Sequence, residues 1–306
     1  MSKSKTLELE VGGRAVEVSS PDKILFPREG ITKADLAGYY ARIADTMLPH
    51  LGGRPISMQR FPDGIDGETF FQKDVPDYFP DWIRTEKVKK EDGSLDMVIA
   101  EEAATLVYLA NQACITPHVW LSRIDQPHRP DRLIFDFDPS GDEFGRVRDA
   151  ARRMRGLLEE TGLAPFVMTT GSRGLHVTVP LDRSGDFDAV RGFARRCAEL
   201  LVSRRPDHLT VEHRKAKRGD RVYIDTMRNA YAQTAVAPYS VRARPGAPVA
   251  TPLGWDEVGR AEPDSYTIHN LFRRLGRKDD PWVDIDREAG AIEQASKRLE
   301  EMEERG

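Results

Sequence analysis

Between Asp131 and Met227 the spacing of apolar residues switches repeatedly between two and 3.6, and this order restricts the fold more than any other property of the chain. Residues 131–138, Asp-Arg-Leu-Ile-Phe-Asp-Phe-Asp, alternate as a strand that stops at Pro139. Val147, Ala151, Met154, Leu157 and Leu158 then recur at helical spacing over 144–160, closed by Gly162. Pro-Phe-Val-Met-Thr-Thr, a Gly-Ser-Arg-Gly turn and Leu-His-Val-Thr-Val-Pro-Leu predict two strands. A second helix starts near Asp186, with Phe187, Val190, Ala194, Cys197 and Leu201 on one face, and Arg-Val-Tyr-Ile-Asp-Thr-Met predicts a last strand. This β-α-β-β-α-β order is the ferredoxin-like, split βαβ pattern. It specifies an α+β fold whose antiparallel sheet, in strand order 4-1-3-2, carries both helices on one face.

Side chains alternate across a strand, so parity assigns each residue a face. With Leu133, Phe135 and Phe137 toward the helices, Asp136 and Asp138 share the open face, roughly 6–7 Å apart along the strand. On the third strand Leu175, Val177 and Val179 go inward, which puts His176 and Thr178 on the open face. On the fourth, Val222 and Ile224 go inward and Tyr223 and Asp225 outward. Three carboxylates and a histidine on one surface require a compensating cation, because like charges at short range resist ionising together. Oxygen donors suit Mg²⁺ or Mn²⁺ over Zn²⁺, and two such ions roughly 3.5–4 Å apart support in-line phosphoryl or nucleotidyl transfer. The plainer reading of Asp-x-Asp is a strand end that caps the next helix; the convergence of Asp225 and His176 on the same face weighs against it.

Thr169-Thr170-Gly171-Ser172-Arg173-Gly174 joins two strands beside these acids. Its glycines permit close backbone approach, its hydroxyls and amides can donate to phosphate, and Arg173 offers a bidentate fork. A plain hairpin turn uses the same residue types. Residues 205–244 hold nine Lys/Arg against four acids, a basic stretch inside an acidic chain that suits polyphosphate or a nucleic-acid backbone; Arg218 and Arg242 lie within it. Phe70-Phe71 can stack on bases where exposed, and His118 shares a face with Trp120. Lys90-Glu91-Asp92-Gly93 satisfies the K-x-D-G signature of nucleotidylated lysines in ligases, but Asp-Gly between two strand-like runs reads better as a hairpin.

Lys+Arg 46 against Asp+Glu 50 leaves a net charge of −4, which excludes a polybasic protein, and 39% hydrophobic residues exclude a disordered one. Cys114 and Cys197 read as buried thiols of a reduced compartment. No apolar run approaches the roughly 18 residues that span a bilayer and no signal-like region opens the chain, so the expectation is a cytoplasmic protein with no membrane segment. Ahead of the regular region, Leu7 to Ser19 alternates around Gly12-Gly13 as a hairpin. Thr32 with Asp35 then opens a helix that turns Leu36, Tyr39 and Tyr40 inward, and residues 55–105 suggest irregular β structure.

Ile-Phe-Asp-Phe-Asp-Pro (134–139), residues 169–181, 222–229 and 239–253, with Asp-Lys-Ile-Leu-Phe-Pro, Phe-Phe-Gln-Lys-Asp-Val-Pro and Pro-His-Val-Trp upstream, closely resemble the polymerase domain of bacterial ligase D. That family belongs to the archaeo-eukaryotic primases and serves non-homologous end joining; the resemblance runs from Leu7 to about Asp284. It implies a single primase-polymerase domain: a β-rich N-terminal lobe with DNA-end contacts over 1–125, an RRM-like catalytic lobe over 126–284 and a helical tail over 285–306. It implies template-directed addition of nucleotides, preferentially ribonucleotides, to a primer 3′-hydroxyl for gap filling and end extension, with Asp136, Asp138 and Asp225 as ligands of two Mn²⁺ (or Mg²⁺) ions. His118, Thr170, Ser172, Arg173, His176, Arg218, Arg228 and Arg242 would hold the nucleoside triphosphate. Lys23 and Lys33 would grip the 5′-phosphate of a gapped or broken DNA, and Phe70 and Phe71 would pack on template bases. A Ku-like end-binding protein and a separate ATP-dependent ligase are the partners it suggests. The chain departs from the family at Arg173, commonly Lys, at Thr170, commonly Ser, and at Arg228, frequently Gln. Two other classes stand beside this one: a metal-dependent phosphohydrolase of the D-x-D type, and a non-catalytic RRM-like nucleic-acid binder.

Overall fold

The alternating run that ends at Pro139 becomes the strand Arg132–Asp138, the centre of a six-stranded sheet in a computed structural model that describes residues 5–90, 93–141 and 143–305. Its strands lie in the order Leu209–Thr210, Val222–Asp225, Arg132–Asp138, Leu175–Pro180, Phe166–Thr169, Thr251–Leu253. The four inner strands reproduce the expected 4-1-3-2 order, and every pairing is antiparallel except that of the short Leu209–Thr210 edge. Leu133, Phe135, Phe137, Leu175, Val177 and Val179 are fully buried, because this face is covered by the helices Phe144–Glu160 and Phe187–Arg204. Asp186 caps the second helix by accepting from the Ala189 amide at 2.9 Å.

The chain divides into two compact units, each made of separated segments. One holds this sheet: residues 121–233, 251–265 and 272–306. The C-terminal helix Ile292–Arg305 belongs to it, burying Ile292, Ala295, Leu299 and Met302, while Arg196 pairs with Glu300 at 3.1 Å and Glu303 at 2.5 Å. The lobes expected over 1–125, 126–284 and 285–306 were contiguous; the observed units are not, because pairing and packing recruit distant segments.

The other unit comprises 1–120, 234–250 and 266–271. Its sheet runs Thr234–Val236, Cys114–Trp120, Pro55–Arg60, Gly93–Ile99, Thr85–Lys90, with Phe70–Gln72 also paired to Pro55–Arg60. Thr234–Val236 pairs antiparallel with Cys114–Trp120, which brings the later segment back. Gly12 and Gly13 take positive φ in the turn between Thr6–Val11 and Arg14–Ser19. The Thr32–Asp35 capping box opens the helix Lys33–Leu51, and Leu36, Tyr39 and Tyr40 are buried. Residues 55–105 are more regular than expected, and their last three begin the helix Ala103–Asn111. Strands Thr85–Lys90 and Gly93–Ile99 flank the K-x-D-G sequence as a hairpin; Glu91 and Asp92 lie outside the described residues. Cys114 and Cys197 are free and buried, and burial pushes the Cys114 thiol up to about 12. Among the described residues no helix is long and apolar enough to cross a membrane.

Candidate active site

Register brings the acids together. Asp136 lies directly across from His176 on one neighbouring strand and from Asp225 on the other, and Asp138, two residues on, lies across from Tyr223. Residues directly opposed in a sheet point to the same face, so Asp136, Asp138, Asp225, His176 and Tyr223 all share the face away from the helices, as parity requires.

This face is electrostatically stressed. The carboxylate of Asp136 is buried; burial alone would raise its pKa, but His176 and Arg228 outweigh it and hold the group well below the usual carboxylate range. His176 Nε2 lies 3.4 Å and Arg228 Nε 3.2 Å from the same oxygen, Oδ2. Asp138 is pushed the other way, by burial and then by the charge of Asp136, against the pull of Arg173, His176 and Arg228. Asp225 Oδ1 accepts from the Met227 amide at 2.8 Å, and burial followed by the Asp225 charge pushes the Tyr223 hydroxyl up to about 12. The donor set is all oxygen beside one imidazole, and a divalent cation would relieve the repulsion that raises Asp138, so the residues fit Mg²⁺ or Mn²⁺. Among the described residues no three His, Cys, Asp or Glu side chains are already drawn into a metal-holding cluster; Asp136 is engaged instead with Arg228 and His176.

The 170–174 turn is organised from within. Thr170 Oγ1 donates to the Gly174 carbonyl at 3.1 Å and accepts from the Ser172 and Gly174 amides at 3.3 and 3.2 Å. Its hydroxyl therefore shapes the loop that carries half-buried Ser172 and exposed Arg173. Gly174 is required by space: a Cβ there would sit 2.2 Å from the Phe137 carbonyl oxygen. Arg218 is stacked over the Tyr223 ring at 3.7 Å and donates to the Glu212 and His213 carbonyls at 2.9 and 2.7 Å, pinning the basic loop beside the acids.

The remaining residues singled out in the sequence lie in the other unit. Arg242 is half-buried on the segment where its amide donates to the Pro248 carbonyl at 2.7 Å. Lys23 and Lys33 are brought together by the bond from the Lys33 amide to the Lys23 carbonyl, 2.8 Å. Lys23 Nζ contacts Asp63 at 2.9 Å, while Lys33, only 7% exposed, reaches Ser19 and Asn111 at 3.4 and 3.5 Å. Burial and then Lys23 lower the Lys33 pKa. The two cations thus lie close enough to interact, Lys33 nearly buried with long contacts and Lys23 paired with Asp63.

Phe70 and Phe71 are 46% and 53% exposed, and Phe71 meets His118 edge-on with centroids 5.2 Å apart. Sequence reasoning missed two neighbours. Tyr78 is 59% exposed, and Arg60 lies over Phe70 at 5.6 Å while donating to the Tyr78 hydroxyl at 3.1 Å. Together they form an aromatic surface centred on a cation, suited to stacking on bases. Asn229 was also missed; fully buried, it bonds the backbone of Ile134 on the Asp136 strand. Only its place in a turn closing on an acid hinted at this.

The antiparallel sheet around Asp136 argues against the D-x-D phosphohydrolase reading, which needs an α/β sheet, and acids in place of aromatics on the central strands argue against a simple RRM-like binder. A family model described as LigD, primase-polymerase domain, matches residues 32–282. The multifunctional non-homologous end joining protein LigD of Mycolicibacterium smegmatis is 32% identical over 277 residues, 90% of this chain and 36% of that protein. The bifunctional LigD of Bacillus subtilis is 31% identical over 275 residues, 89% of this chain and 44% of that protein. The chain thus spans about a third to under a half of the length of these curated relatives. A solved structure, the polymerase domain of Mycobacterium tuberculosis ligase D in complex with DNA, superposes with a TM-score of 0.84 at 32% identity, covering 90% of this chain and 99% of that one.

Proposed function

The chain belongs to the LigD primase-polymerase family, and on that premise we propose that it is a template-directed nucleotidyltransferase that extends a primer 3′-hydroxyl across short gaps and at broken ends in end-joining repair. The observation that carries this reading is the register that sets Asp225 and His176 on either side of Asp136, with Asp138 two residues along the same face. Asp136, Asp138 and Asp225 are the residues that would hold two divalent cations, which we take to be Mn²⁺; bound there, such ions supply charge neutralisation of the triphosphate and a lowered pKa for the attacking hydroxyl. Arg173, whose charge bears on Asp138, supplies fixed positive charge for the phosphates, and the Ser172 hydroxyl supplies a donor. Arg218 stiffens the loop above Tyr223. No side chain serves as nucleophile. Base pairing selects the nucleotide, while Phe70, Phe71 and Tyr78 support the template by stacking and the Lys23–Lys33 pair takes the 5′-phosphate of the downstream strand. A Ku-like end binder and a separate ligase complete the reaction that we assign to it.

The direct test is extension of a primer on a gapped duplex bearing a 5′-phosphate, with Mn²⁺ and ribonucleotides. Pyrophosphate should appear in step with primer growth; inorganic phosphate without growth would overturn the assignment. On the same substrate, Lys23→Ala and Lys33→Ala are each expected to erase most of the advantage given by the 5′-phosphate, about tenfold in apparent affinity. An unchanged advantage removes that pocket. Lys33 carries its charge at a cost to stability at neutral pH, a cost that shrinks as pH rises through its lowered pKa. Lys33→Met should therefore raise thermal stability while it lowers phosphate preference. Phe71→Ala should weaken binding of a single-stranded template by about 1–3 kcal/mol, read by fluorescence anisotropy.

A further inference from the structure

We infer that Arg228 is a displaceable counter-cation seated on a carboxylate oxygen of Asp136, one of the residues that would hold the cation, so that binding of a divalent cation and release of the Arg228 guanidinium are one event. The inference rests on the reading of Asp136 as a metal ligand and adds to it a coupling between cation and anionic substrate.

Arg228 Nε donates to Asp136 Oδ2 at 3.2 Å, the same atom that His176 Nε2 approaches at 3.4 Å. A metal ion taking that oxygen must move the guanidinium off it. The side chain can move: it is 38% exposed, against 7% for the Asp136 carboxylate. The backbone cannot follow easily, because the next residue, Asn229, is fully buried and bonded to the backbone of Ile134 and Thr226. The motion available is therefore a rotamer swing of one guanidinium over the open face. An internal cation thus already faces the most buried of the three carboxylates.

Two consequences follow. A divalent cation alone binds weakly, since it must first break a charge-assisted pair. A polyphosphate on the open face gives the released guanidinium a new partner, so nucleotide and cation strengthen each other's binding, reciprocally.

The test needs no catalysis. Free Mn²⁺ is followed by electron paramagnetic resonance as protein is added, with and without a non-hydrolysable nucleoside triphosphate, for wild type, Arg228→Gln, Arg228→Lys, Asp136→Asn and the Asp136→Asn/Arg228→Gln double variant. Without nucleotide, Arg228→Gln should bind Mn²⁺ roughly tenfold tighter or more, the worth of a hydrogen bond to a charged group. Arg228→Lys, which keeps the charge but lacks the Nε–H fork, should fall between. The tightening should persist in about 0.5 M salt, where the field of a merely nearby charge is screened. It should vanish in the Asp136→Asn background. The strengthening of Mn²⁺ binding by nucleotide should shrink in Arg228→Gln. Arg228→Gln within twofold of wild type, with Asp136→Asn still weakened, overturns the inference and leaves the metal-ligand reading standing, as does a tightening that high salt abolishes. Asp136→Asn binding Mn²⁺ as well as wild type removes both.

Discussion

Asp225→Asn is expected to lose at least about 10³-fold in single-turnover primer extension, roughly 4 kcal/mol of transition-state stabilisation, while melting at the same temperature as wild type or slightly higher. The two readouts move apart because Asp225 has little structural work. Among the described residues its hydrogen bond to backbone, from the Met227 amide, is accepted by Oδ1, and the asparagine carbonyl oxygen can take it over. What the substitution removes is a charge held directly opposite Asp136, and like charges opposed across strands cost a few tenths to about 1 kcal/mol. Asp136→Asn should match the loss of activity and reverse the effect on stability. That carboxylate holds Arg228 and His176, and its pKa lies below the ordinary 3.8. A depressed carboxyl contributes stability above its unfolded pKa and loses it only as pH falls through the folded value, so at neutral pH the whole contribution is forfeited. Activity of Asp225→Asn within tenfold of wild type would dissolve the case for a shared catalytic face.

Those two aspartates show why much of this site could be read before the fold was seen. Strand parity is strict: once Phe135, Phe137, Val177 and Ile224 are recognised as core, the facing of Asp136, His176 and Asp225 follows, and the split βαβ order makes the three strands neighbours. The same reasoning is blind where side chains act on loops. Thr170 carried the composition of a phosphate donor, yet its hydroxyl closes its own turn through three contacts with Gly174 and Ser172. Arg218 carried the charge of a free basic loop, yet it is stacked on Tyr223 and tied to two carbonyls. Short-range hydrogen bonding of this kind depends on backbone angles that residue type leaves open. Tyr78 was unreadable for a different reason: its partnership with Arg60 and Phe70 joins three segments of one sheet region, and no periodicity links them. The return of Thr234–Val236 to Cys114–Trp120 is likewise a long-range pairing of a three-residue strand, too short to carry a pattern.

Asn229 offers the sharpest separation of architecture from chemistry, and Asn229→Ala is expected to destabilise the protein by about 3 kcal/mol and lower its melting temperature by roughly 10 °C. The strand Val222–Asp225 ends opposite Asp136, which would leave Ile134, two residues earlier on the central strand, without a ladder partner on that side. The asparagine amide fills the gap. Its Oδ1 accepts from the Ile134 amide at 2.8 Å, and its Nδ2 donates to the Ile134 carbonyl at 2.7 Å and to the Thr226 carbonyl at 2.9 Å. One side chain thus reproduces both bonds of a missing strand residue in a site closed to solvent. Alanine would leave a buried N–H and a buried C=O without partners, each costing about 1–3 kcal/mol. Because the same contacts tie down the 226–229 turn between Asp225 and Arg228, primer extension should also fall at temperatures where the variant is still folded. Calorimetry and extension at 20 °C check the two halves separately. A melting temperature within about 2 °C of wild type would mean that water or a relaxed backbone replaces the clamp, and that the turn beside the acids is held by something other than Asn229.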